Sequence, residues 1–203
     1  MKVAILFSGT GSNMRMLVDC HGQDQVEIGM LVSNRPEAAG LEFARSTNIP
    51  VRIFDHRLFD DRRMHEKWIS TVLRHHDIEL ICLAGYMRVL TEAFIAEWRG
   101  KIINIHPSLL PGLPGLHTHQ RAIDLGVKLH GCTVHYVTER VDDGPILGQA
   151  AVPVLPDDTA DTLAARVLKQ EHILYPTVLR EICSGKLADH PDSGVTLHNP
   201  MID

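Results

Sequence analysis

Short, unbroken apolar runs separated by stretches of helical period constrain this chain more than any other feature. Val3 to Phe7, Val26 to Val32, Val51 to Phe54, Glu79 to Ala84 and Lys101 to Ile105 read as strands buried on both faces. Between them, apolar residues recur at helical spacing near Asn13 to Cys20, Pro36 to Ser46, Asp60 to His75 and Thr91 to Trp98. Such alternation predicts βαβ units, and so an α/β, Rossmann-like, mostly parallel sheet with helices on both faces. After a helical stretch near Gln120 to Leu125 the pattern changes. Gly131 to Val137 and Pro145 to Val154 read as two strands, and the Asp-Asp-Gly between them predicts an antiparallel pair near the C-terminal part of the sheet. Asp158-Thr159 can cap a last long helix running to about Ile182.

A chain of 203 residues can bury one sizeable core. We expect one domain over 1–188, followed by a polar, proline-containing tail over 189–203 with the composition of a flexible segment. With 25 acids against 20 bases, a net charge of −5 and no dense Lys/Arg run, the chain lacks the footprint of a nucleic-acid partner. Its four cysteines, Cys20, Cys82, Cys132 and Cys183, lie far apart with no C-x-x-C pair, as expected of reduced, buried thiols in the cytoplasm. The Val3 to Phe7 run is too short for a signal sequence or a membrane span.

Three constellations carry chemistry. The first strand runs into Ser8-Gly9-Thr10-Gly11-Ser12-Asn13 at the start of a helical pattern, where glycines admit close backbone approach and free N–H groups suit a phosphate. The same residues would also serve as a plain glycine turn with a cap. A dinucleotide fingerprint needs a third glycine where Met14 stands, and Ser33-Asn34-Arg35 replaces the expected ribose-binding acid. In the second, Asn104 and His106 are two apart on an apolar strand that Pro107 ends, so they share one face near the strand's carboxyl end. An amide and an imidazole there could support a developing oxyanion, or could be buried groups satisfying backbone. The third is Asp142 in Val141-Asp142-Asp143-Gly144-Pro145, either turn chemistry or a carboxylate that orients an imidazole.

Taken in order, these segments, together with Ala84-Gly85-Tyr86-Met87-Arg88-Val89-Leu90, Asn104-Ile105-His106-Pro107-Ser108-Leu109-Leu110-Pro111 and Gly115-Leu116-His117-Thr118-His119, closely resemble the glycinamide ribonucleotide formyltransferases over about residues 1–183. The resemblance implies transfer of a formyl group from 10-formyltetrahydrofolate to the amine of glycinamide ribonucleotide, in de novo purine biosynthesis and without a metal. It implies Asn104, His106 and Asp142 as the catalytic trio, and Gly11, Ser12 and Asn13 as the phosphate loop. Glu171 would bind the ribose hydroxyls. Arg62 and the run Met87, Arg88, Val89, Leu90, with Asn104, would meet the folate. One position departs from the pattern: Leu168 stands where a polar or basic residue often reaches the phosphate, with Lys169 beside it. Small-molecule partners and a monomer or homodimer are expected.

Other readings make different demands. A formyltetrahydrofolate deformylase would use the same trio on water but usually carries a domain ahead of the catalytic one, whereas here the catalytic sheet begins at residue 2. A methionyl-tRNA formyltransferase would need a second domain and a basic surface. An NADP-binding module using Arg35 lacks the third glycine. His117-x-His119 and His75-His76 could present imidazoles to a metal, but no third ligand follows at a suitable spacing.

Overall fold

The protein, described by a computed structural model, is defined over residues 1–187 and, as backbone, Thr196–Leu197. Its strands are β1 (Lys2–Phe7), β2 (Glu27–Ser33), β3 (Val51–Ile53), β4 (Leu80–Leu83), β5 (Ile102–His106), β6 (Leu129–Tyr136), β7 (Ile146–Pro153) and β8 (Thr196–Leu197). They form one sheet in the order β3-β2-β1-β4-β5-β6-β7-β8. From β3 to β5 the neighbours are parallel, as the apolar runs predict. The expected antiparallel pair is β6 with β7, and β6 also lies antiparallel to β5. The expectation for 189–203 falls outside the described residues except at β8, which pairs parallel with β7.

Among the described residues, six α-helices flank the sheet: α1 (Ser12–Val18), α2 (Gly40–Ser46), α3 (Arg62–His75), α4 (Glu92–Glu97), α5 (Thr118–Asp124) and α6 (Ala160–Cys183). Side-chain alternation along β1 explains why the core has two halves. Val3, Ile5 and Phe7 join Met14 and Leu17 of α1, Leu41 of α2, Ala122 of α5 and the apolar stripe of α6. Ala4 and Leu6 join Ile69 and Leu73 of α3 and Phe94 and Ile95 of α4. Both faces of β1 are sealed, with Val3 through Phe7 at 0% exposure, which is why its sequence shows no polar alternation.

Helix α2 begins at Gly40 rather than near Pro36. Residues 35–38 make a turn closed by Ala38 N–H to the Arg35 carbonyl, and Gly40 is pressed against the β1 exit loop, its N–H donating to the Gly9 carbonyl at 3.0 Å. A Cβ there would stand 3.0 Å from the Thr10 carbonyl oxygen and 3.1 Å from that of Gly9. Helix α6 starts as the sequence predicts: the Thr159 hydroxyl accepts from Thr162 N–H and the Thr162 hydroxyl from Thr159 N–H, a reciprocal cap. Arg166 then forks onto Asp158 at 2.6 and 2.8 Å. Deeper in α6, the fully buried Tyr175 directs its hydroxyl at the carbonyls of Leu83 and Ile103, both at 3.1 Å, tying the helix to β4 and β5.

Candidate active site

Asn104 and His106 lie on the β5 face opposite Ile103 and Ile105, which face the α6 core. Register sets His135 of β6 across from Asn104 and Thr133 across from His106, so four polar side chains share one patch of an otherwise apolar sheet. The Asn104 amide nitrogen is 3.3 Å from His135 Nε2. His135 Nδ1 is 2.9 Å from the Tyr136 carbonyl, so it carries the proton and Nε2 is left to accept from the amide. Burial pushes the His135 pKa down, keeping this ring neutral.

Asp142 reaches the same patch. Its Oδ2 lies 3.3 Å from His106 Nδ1 and accepts Gly115 N–H at 2.8 Å, while its Oδ1 is 3.9 Å from His135 Nε2. The approach is indirect. Because β6 runs against β5 with Tyr136 opposite Ile103, the β6–β7 turn leaves the sheet toward the amino end of β5. It must fold back along roughly 10 Å of strand to bring the carboxylate to His106. Asp142 takes a positive φ of 55° within that turn. His106 lies between two acceptors, its Nε2 3.1 Å from the Leu113 carbonyl and its Nδ1 facing the Asp142 carboxylate.

A cleft of about 320 Å³ opens at the carboxyl ends of β1, β4 and β5. It is bordered by the Ser8 to Asn13 loop and brings the sequence-predicted Gly11, Ser12 and Asn13 together with Glu171. Gly11 has φ 73°, which a side chain would disfavour, and a Cβ would meet the tip of Met14 at 2.5 Å. The Asn13 amide donates to Glu171 Oε2 at 2.6 Å across 158 residues of sequence. Its own Oδ1 is buried without a partner. Burial pushes the Glu171 carboxyl above its ordinary range, against the lowering effect of the Asn13 bond. Leu168 also lines this cleft and Lys169 does not, since one residue along a helix turns the side chain about 100° away. A larger cavity of about 480 Å³ lies at the opposite end of the sheet near Lys2, His21 and His76, and holds none of the residues expected to be catalytic or to bind phosphate, ribose or folate.

The Met87 to Leu90 segment is held at several points. Met87 N–H donates to the Ser8 hydroxyl at 2.8 Å, and that hydroxyl donates to Asn34 Oδ1 at 2.6 Å. Arg62 reaches the Val89 carbonyl at 3.1 Å, and the buried Glu66 carboxylate takes both Thr91 N–H and the Thr91 hydroxyl. Burial pushes the Glu66 pKa up. Met87 and Val89 stand exposed at 65% and 57%, while Leu90 is buried and Arg88 is half-buried with its Nε lacking a partner. Arg62 therefore sits next to the segment.

Several residues at the site escape a reading of the sequence. Thr133, fully buried, accepts from Leu110 N–H at 3.0 Å and Gln149 Nε2 at 3.0 Å, and donates to the Ser108 carbonyl at 2.7 Å, fastening the loop that leaves His106. His135 and Thr133 carry a faint signal, polar side chains two apart on an apolar strand, as in the Asn104 and His106 pair. Behind His106, His119 Nδ1 and His130 Nε2 lie 3.1 Å apart; burial lowers both, and His130 falls to about 4. Among the described residues, no three His, Cys, Asp or Glu side chains form a group able to hold a metal, and no helix is long and apolar enough to cross a membrane.

The chain matches the formyl transferase family over residues 1–179. It is 37% identical to the phosphoribosylglycinamide formyltransferase of Escherichia coli (strain K12), with 95% of this chain and 92% of that protein aligned. The crystal structure of phosphoribosylglycinamide formyltransferase from Brucella melitensis superposes with a TM-score of 0.86 at 52% identity, covering 91% of this chain and 96% of that one. It is also 43% identical to the human trifunctional purine biosynthetic protein adenosine-3 over 91% of this chain. The chain spans 14% to 19% of the length of the trifunctional relatives it matches.

Proposed function

The chain belongs to the phosphoribosylglycinamide formyltransferase family, and on that premise we propose that it moves a formyl group from 10-formyltetrahydrofolate to the primary amine of glycinamide ribonucleotide, a step of de novo purine biosynthesis. The observation that carries this reading is the convergence of Asn104, His106 and Asp142 at the end of β5, whose neighbouring Ile105 and Pro107 line the cleft edged by the glycine loop. The amine nitrogen attacks the formyl carbon, and negative charge collects on the formyl oxygen. The Asn104 amide keeps one N–H free beyond its contact with His135, and His106 can donate from Nε2 once that nitrogen exchanges the Leu113 carbonyl for the oxyanion. Asp142 orients His106 through Nδ1 and supports proton transfer. As the carbon–nitrogen bond to the folate breaks, the leaving nitrogen gains a proton and the new amide has lost one.

Gly11, Ser12 and Asn13 take the ribose phosphate in this reading, and Glu171 the ribose hydroxyls. Met87, Arg88, Val89 and Leu90 offer backbone and apolar contact to the folate, with Arg62 at the mouth, where a guanidinium suits carboxylates. Residues 1–188 act as one formyltransferase domain, in the cytoplasm, as a monomer or homodimer that needs no metal, nucleic acid or membrane. A transfer assay with 10-formyltetrahydrofolate tests it directly. Formylated glycinamide ribonucleotide is the expected product; release of formate without an acceptor would point to the deformylase chemistry instead.

A further inference from the structure

We propose that Arg35, at the exit of β2, is the cation that holds the phosphate of the amine substrate. The inference rests on the reading that this cleft takes a phosphorylated amine. Charge balance raises the question. A phosphate monoester brings about two negative charges into a cleft whose α6 wall offers the Glu171 carboxylate and the apolar Leu168. Lys169 points away, and α1, with seven residues, has too little aligned backbone to offset that charge. Among the residues described as lining the cleft, Arg35 is the cation.

Its surroundings suit the task. The Arg35 backbone is held from both sides by Ser33, whose hydroxyl accepts from Arg35 N–H at 3.1 Å and donates to the Arg35 carbonyl at 2.9 Å. Asn34, the residue before it, is fixed by the Ser8 hydroxyl at 2.6 Å. The close contact of Gly40 with Gly9 packs the β2 exit loop onto the phosphate loop, so both chains of backbone reach the same end of the cleft. The guanidinium itself has no ion-pair or hydrogen-bond partner among the described residues, whereas Arg57 and Arg166 are each committed to an aspartate. An arginine anchored at its backbone and unpaired at its head is pre-arranged to fork onto a phosphate.

Kinetics with two acceptors test this: glycinamide ribonucleotide, and the same nucleoside without its phosphate. Arg35→Ala is expected to raise the KM for the ribonucleotide by about tenfold or more, with Arg35→Lys between the two, because a charged hydrogen-bond pair is lost. The folate KM should hold, and the phosphate-free acceptor should be used equally by both proteins. Calorimetry with ribose 5-phosphate keeps this question apart from the reaction: the wild type should bind it and Arg35→Ala should bind it at least about tenfold more weakly, even if glycinamide ribonucleotide proved not to be formylated. An unchanged ribose 5-phosphate affinity, or an equal loss with the phosphate-free acceptor, would overturn the assignment.

Discussion

Asp142 joins three partners with one carboxylate: the His106 ring, the Gly115 N–H and, at longer range, His135. Exchanging one of its oxygens for an amide nitrogen sets a donor against donors. Asp142→Asn should therefore lower turnover by about a hundredfold or more while leaving both KM values nearly unchanged, which steady-state kinetics will read. Glu171 illustrates the opposite trade. Its carboxylate is buried with Asn13 as its bonding partner, and its raised pKa means that ionising it costs the folded state more than the unfolded one. Stability from this group is fully present below the ordinary glutamate pKa of 4.5 and is lost as pH rises through the higher folded value. Glu171→Gln should then melt at higher temperature than wild type at neutral pH, with the advantage fading on acidification toward pH 4. The same variant should bind the ribonucleotide less tightly. A melting temperature that does not rise at neutral pH would contradict the account.

At the scale of elements, the site depends on loops pinned by side chains that act as staples. The Thr133 hydroxyl fastens the chain leaving β5, and Glu66 fastens the chain leaving β4. Thr133→Val keeps the shape but strands the Leu110 N–H and removes one of the two bonds of the Gln149 amide, so urea unfolding should report a loss of about 1–3 kcal/mol, and the catalytic loop should loosen. Much of the scaffold was readable in advance. The parallel strands announce themselves as unbroken apolar runs, and α6 through Thr159, because burial on both faces and capping leave local signatures. Asn104 and His106 were equally visible, as polar residues two apart ahead of a proline. Thr133, Gln149 and Glu66 were not, since a hydroxyl, an amide or a carboxylate becomes a staple only through the segment that folding brings beside it. Nor does local sequence reveal that β6 turns antiparallel to β5 as well as to β7, or that β8 returns to the edge of the sheet. Those pairings are long-range.

On the scale of the whole molecule, Tyr175 binds the last long helix to the strands that carry the site, its hydroxyl reaching β4 and β5 at once. Tyr175→Phe removes that link and leaves the ring's packing intact. The expected result is a stability loss of about 1 kcal/mol by denaturant titration, with formyl transfer nearly as fast as in wild type. A large fall in turnover at unchanged stability would show that the helix aligns the catalytic strand more closely than this. The β6–β7 turn has a different relation to the fold. It is closed at its base by Tyr136 N–H on the Pro145 carbonyl, and the Asp142 carboxylate connects it to His106 and the Gly115 N–H. Val141 and Asp143 on either side are exposed. Descendants of such a chain could lengthen, shorten or rewrite this turn while inheriting the sheet unaltered, because its tip contributes no rung to the ladder. Innovation is cheap at that place: a lineage can trial a new reaction by varying one hairpin and keep a foldable ancestor's body throughout.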